Sequence, residues 1–147
     1  MLQLLIACLW QPEALNVFYG LIPCTEMHKS KVLIIEDSPD LADFMCHLLS
    51  LKNFEVHTAL SREGIISRLD EFMPDIVLLD VNLKGEDGRQ LCRDIKQVHR
   101  FKHIPHILMS ANPVFLTDYT ACYADDVLHK PFEIVTLINT INRHTGR

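Results

Sequence analysis

The chain has 147 residues, 48% of them hydrophobic and 22% charged, enough for one domain with a single substantial core. Its formal net charge of −5, with no block of lysine or arginine, argues against nucleic acid or an anionic membrane surface as the main partner. The five cysteines and eight histidines are dispersed, with no CxxC pair and no zinc-site spacing, which fits a reducing cytoplasmic compartment rather than a disulfide or zinc framework.

Residues 1 to 28 are apolar but interrupted by Gln11, Pro12, Glu13 and Pro23, and they do not share the pattern that follows. The run from Met1 to Trp10 is too short to span a bilayer, and no basic residue precedes it as a secretory signal would require. Residues 1–30 are therefore expected to be an extension outside a domain at 31–147, either poorly ordered or untranslated, with Met27 as the start.

From Lys31 onward, apolar runs of strand length alternate with helical patterns, the signature of βα units around a parallel sheet. Val32-Leu33-Ile34-Ile35 reads as a strand buried on both faces. It is followed by a helix from Pro39 to Lys52, capped by Ser38, with Leu41, Phe44, Met45, Leu48 and Leu49 on one face. Phe54 to Thr58 reads as a second strand, and Ser61 as the cap of a helix carrying Ile65, Ile66 and Leu69. Ile76 to Leu79 forms the next apolar run and ends at Asp80; Lys84 to Gly88 is a loop, and Leu91, Ile95 and Val98 mark a third helix. Ile104 to Met109 ends at Ser110, Asn112 to Tyr123 reads as a weaker fourth helix, and Asp126 to Leu128 as a short fifth strand. Phe132 to His144 is a final helix with Ile134, Leu137, Ile138 and Ile141 inward. Five βα units and right-handed crossovers predict a doubly wound, three-layer α/β/α sandwich.

Acids close two of the strand-like runs, Glu36-Asp37 the first and Asp80 the third, and Lys130-Pro131 follows the last. Residues just past the carboxyl ends of neighbouring strands converge on one crevice. Such a pocket invites a hard divalent cation, and it offers one carboxylate as a nucleophile toward phosphorus.

Three segments, KVLIIEDSP from Lys31, DIVLLDVNLKGEDG from Asp75 and ADDVLHKPF from Ala124, resemble the response regulator receiver domain of two-component signalling. The resemblance runs from Lys31 to about Arg143 and implies a flavodoxin-like (βα)5 fold with a five-stranded parallel sheet. It also implies that Asp80 accepts a phosphoryl group from the phosphohistidine of a histidine kinase or histidine phosphotransfer protein. By the same resemblance, Glu36, Asp37, Asp80 and the main-chain carbonyl of Asn82 hold Mg²⁺, while Lys130 and Ser110 contact phosphoryl oxygens. Each residue also has a plainer structural reading: Asp37 as a helix cap, Lys130 as surface charge, Ser110 as a backbone partner. The constellation favours the chemical one.

Several positions depart from the family pattern. Lys84 replaces the usual proline four residues after Asp80, which predicts a less rigid loop, and Tyr123 stands where glycine is common. Val127 occupies the position, three before Lys130, of the family's aromatic switch. Phosphotransfer with a weaker or differently built output is therefore expected. The leading expectation is a stand-alone receiver acting on a downstream protein target; alternatives are a phosphorelay intermediate and an interaction module that does not depend on phosphorylation. A haloacid-dehalogenase-type phosphohydrolase is disfavoured, because Asn82 stands where its acid/base aspartate would be. Oligomeric state is not legible.

Overall fold

In a computed structural model the described residues are 29–146; residues 1–28 of the expected extension, with the alternative start at Met27, lie outside them. The predicted alternation folds as strands β1 (Lys31–Ile35), β2 (Glu55–Ala59), β3 (Ile76–Asp80), β4 (His106–Ser110) and β5 (Asp126–His129). Between and after them lie helices α1 (Pro39–Leu51), α2 (Ile65–Phe72), α3 (Gly88–Gln97) and α4 (Ile134–Thr145). The five strands form one sheet in the order β2-β1-β3-β4-β5, all parallel. The chain moves outward from β1 to β2 and then returns across β1 to β3, so the winding reverses between β1 and β3. A crevice opens at the carboxyl ends of strands flanking such a reversal.

Why the central strands are continuously apolar is visible in the two faces they serve. Leu33, Ile35, Val77, Leu79 and Leu108 pack with Leu69, Leu91 and Ile95 of α2 and α3. Their alternating neighbours Val32, Ile34, Ile76, Leu78 and Ile107 pack with Met45, Leu49, Leu137 and Ile141 of α1 and α4. Each of these strands buries both sets of side chains, as a sheet sandwiched between helices requires.

Four local expectations are corrected. The segment from Asn112 to Tyr123 is two 3-10 turns, Pro113–Leu116 and Tyr119–Cys122, and not an α-helix. Its apolar residues are contiguous rather than spaced along one stripe, so Val114 remains exposed and only Leu116 is buried in the first turn. Side chains also compete for the backbone there: Asn112 Oδ1 accepts from Val114 N, and Thr117 Oγ1 donates to the Val114 carbonyl.

Ser61 does not cap α2; its hydroxyl accepts from Glu63 N, and the helix begins after Gly64, whose φ of 67° places it in the left-handed region. Tyr123 adopts the positive φ that a glycine would take freely, at 62°, so the turn before β5 is kept with a residue that bears strain there. Finally, Phe44, grouped with the apolar face of α1, and Ile66, among the apolar residues of α2, are exposed at 62% and 39%.

Candidate functional site

The sheet register gathers the singled-out residues at one rim. Glu36 and Asp37 follow directly on β1, Asp80 is the last residue of β3, Ser110 the last of β4, and Lys130 follows β5. Main-chain hydrogen bonds carry the ladder past the strand ends: Glu36 N donates to the Ala59 carbonyl, Val81 N to that of Met109 and Lys130 N to that of Ser110. The side chains are therefore placed by the sheet, while Ser38 caps α1 by accepting from Leu41 N and turns the chain away behind Asp37.

Carboxylate oxygens of Glu36, Asp37 and Asp80 all lie within 4.8 Å of one another. The Lys130 ammonium sits among them, 2.5 Å from Glu36 Oε2 and 3.2 Å from Asp80 Oδ1. Glu36 is nearly sealed at 2% exposure, and burial pushes its carboxyl above the usual carboxylate range. The Lys130 hydrogen bond and charge oppose that rise, and the Asp80 charge adds to it. Lys130 thus pairs with two of the three clustered acids, leaving negative charge in excess. An all-oxygen donor set of this kind suits a hard divalent cation.

Asp37 is already engaged, since its Oδ2 accepts from Lys84 N at 2.9 Å. The loop that carries Lys84 was expected to be loose for want of proline. Instead Asn82–Leu83 pairs with Glu86–Asp87 as a short antiparallel hairpin, and its central residues Lys84 and Gly85 both take positive φ, at 51° and 85°. Asn82, two residues after Asp80, opens this hairpin and is exposed. The Ser110 hydroxyl accepts from Asn112 N, which leaves its proton free to be donated. The Lys130–Pro131 peptide is cis.

One contributor was not singled out from the sequence. Gly88 opens α3 pressed against the end of β3, with its N–H donating to the Val81 carbonyl at 2.7 Å, and a Cβ there would stand 2.0 Å from the Asp80 carbonyl oxygen. The available signal was a glycine directly after Asp87, the residue that caps α3 by accepting from Arg89 N. Beside Lys130, an apolar groove of about 450 Å³ runs between α1 and α4, lined by Leu41, Phe44, Leu48, Pro131 and Phe132.

A family model described as the response regulator receiver domain matches residues 32–142. The chain is similar to a candidate response regulator of Chloroflexus aurantiacus J-10-fl, at 26% identity and a TM-score of 0.74, over 81% of this chain and 99% of that one. It is similar to the signal receiver domain of a signal transduction histidine kinase from Syntrophus aciditrophicus, at 28% identity and a TM-score of 0.71, over 80% of this chain and 90% of that one. The chemotaxis response regulator CheY4 of Vibrio cholerae matches at 25% identity and a TM-score of 0.71, over 78% of this chain and 98% of that one. With strand order, acidic rim and strand-end lysine in agreement and the family model spanning most of the sequence, the chain belongs to the response regulator receiver domain family.

Proposed function

We propose that the protein is a cytoplasmic phosphoacceptor that receives a phosphoryl group on Asp80 from a phosphohistidine and signals through protein contacts. The observation that carries this reading is the placing of the Asp80 carboxylate at the end of the central strand, within 4.8 Å of two further acids and 3.2 Å from Lys130 Nζ. An Asp80 oxygen attacks phosphorus as the P–N bond to the donor imidazole breaks.

Glu36, Asp37 and Asp80, with the main-chain carbonyl of Asn82, would hold Mg²⁺. When bound, the cation offsets the negative charge of the phosphoryl oxygens that would otherwise repel the carboxylate. Lys130, already bridging Glu36 and Asp80, supplies a second positive charge to those oxygens, and the Ser110 hydroxyl donates to another. The groove between α1 and α4, adjoining Lys130 and carrying the exposed ring of Phe44, is where a partner protein would approach the site. No helix among the described residues is long and apolar enough to cross a membrane.

A second reading, an interaction module that does not depend on phosphorylation, is favoured by Val127. It is half-buried against the core on β5, at the position where the family's aromatic ring would move. Incubation with Mg²⁺ and acetyl phosphate decides between them. Wild type is expected to gain the mass of one phosphoryl group in an acid- and base-labile linkage, and Asp80→Asn none. No label on wild type, or equal label on both, overturns the phosphoacceptor reading.

A further inference from the structure

Two buried thiols play no part in the site described above. Cys92 lies on α3 and is fully buried; Cys122 lies on the second 3-10 turn and is 1% exposed. Both belong to one core cluster, in which α3 packs directly against that turn, and each thiol bears on the ionisation of the other. They are reduced. A single buried cysteine acts as a small hydrophobe, but two neighbouring thiols are a different chemical object. They are also set beside cations. Arg93, hydrogen-bonded to the neutral amide of Gln90, bears on Cys122, while at Cys92 the charge of Lys96 is opposed by that of its ion-pair partner Asp125. Positive charge of this kind favours a thiolate.

We propose that Cys92 and Cys122 are a redox-active dithiol, which a hydroperoxide converts into an intramolecular disulfide that ties the segment after Ser110 to α3. Cys122 is the attacking sulfur. It sits on a single 3-10 turn between exposed Ala121 and Tyr123, whereas Cys92 is held within a regular helix. At rest the Cys122 thiol donates to the Tyr119 carbonyl at 2.9 Å, a bond internal to the turn that local opening removes. The neighbouring Cys92 thiol and the Arg93 charge then favour the Cys122 thiolate, while the Cys122 thiol and burial push the Cys92 thiol up.

With hydrogen peroxide as oxidant, the Cys122 thiolate forms an S–O bond as the O–O bond breaks, and the departing hydroxide takes up the proton lost by the thiol. Cys92 then attacks the sulfenic sulfur, an S–S bond forms, and a second water leaves. Two thiols lose two electrons and two hydrogens, and the peroxide becomes two waters. A disulfide requires Cα atoms about 4.4–6.8 Å apart, a spacing compatible with two elements in direct contact.

The test uses the full reduced chain, treated with hydrogen peroxide, alkylated with N-ethylmaleimide under denaturing conditions, digested and weighed. A cross-linked peptide pair containing Cys92 and Cys122 is expected, two hydrogens lighter than the sum and released by dithiothreitol. Cys46, half-buried and without such a partner among the described cysteines, serves as the internal comparison. Full alkylation of both Cys92 and Cys122 at a dose that oxidises Cys46 overturns the proposal, as does their conversion to sulfinic acids without a cross-link. Preferential linkage of Cys122 to Cys8, Cys24 or Cys46 does so too. In Cys92→Ser the sulfenic acid on Cys122 should persist and be trapped by dimedone; Cys92→Ala repeats the test if serine unfolds the core. In the oxidised wild type, amide exchange across residues 113–122 should slow by about tenfold, and equal exchange in both forms overturns the tether.

Discussion

The two ends of the sheet are built from the same pieces, carboxylates and a lysine at buried strand ends, in different proportions. At the end where β4 and β5 begin, one acid meets one lysine: Asp125 Oδ2 accepts from Lys96 Nζ at 2.6 Å and from His106 N at 2.8 Å. At the opposite end three acids cluster and Lys130 pairs with two of them, Glu36 and Asp80, while Glu36 is driven upward by burial and by the Asp80 charge. A matched pair holds the chain together. An unmatched cluster keeps negative charge in excess, which suits a cation, at some cost to the fold. Acid clustering alone therefore says less about chemistry than the ratio of acids to cations at a strand end.

The largest expected effect breaks the acid-rich end through its backbone. A methyl group at position 88 would meet the Asp80 carbonyl oxygen at 2.0 Å, and that atom belongs to a central strand that cannot yield. Gly88→Ala is expected to cost about 3 kcal/mol or more, read by urea denaturation, and to abolish labelling by acetyl phosphate. A variant as stable and as readily labelled as wild type would show that α3 can shift without disturbing Asp80.

Acid acts next, and on the matched end. His106 is fully buried, with Nδ1 donating to the Ile104 carbonyl at 2.8 Å and Nε2 buried without a hydrogen-bond partner. Burial, aided by Lys96 and opposed by the Ile104 bond and Asp125, lowers its pKa to about 4. Between that value and about 6.5 the unfolded chain binds the proton and the folded one does not. Stability is therefore complete above pH 6.5 and falls by on the order of 3 kcal/mol as pH drops to about 4. Thermal melts across this range test it, and a His106→Leu variant that keeps the full slope would assign the loss elsewhere.

How much of this was legible in the sequence follows from how local each cause is. The strands could be read because Val32 to Ile35 and Ile76 to Leu79 are apolar without interruption, and the rim because acids and a lysine close those runs. The hairpin after Asp80 was missed because Lys84 takes a positive φ that its side chain does not advertise, held by a long-range bond to Asp37. The fourth helix was overread because Leu116 and Cys122, both buried, sit six positions apart on two separate turns rather than on one helical stripe. Gly88 and the pairing of Cys92 with Cys122 depend on which elements touch, which periodicity along one chain does not encode.

Matched substitutions at the two ends sharpen the contrast. Asp125→Asn removes the countercharge of Lys96, whose side chain is 7% exposed, and puts an amide where one carboxylate oxygen now serves two donors. A loss of about 2 kcal/mol is expected. Asp80→Asn is the same chemical change with the opposite sign. The amide oxygen can still accept from Lys130, now 3.2 Å from Asp80 Oδ1, while one of three mutually repelling charges disappears and the Asp80 contribution to the rise at Glu36 goes with it. Without divalent cation the variant should be about 0.5 kcal/mol more stable than wild type. Added Mg²⁺ should then raise the melting temperature of wild type more than that of the variant, because binding to the folded state alone stabilises it. A destabilised Asp80→Asn in the absence of Mg²⁺ would mean that the rim, like the opposite end, is a balanced pair and holds no charge in reserve.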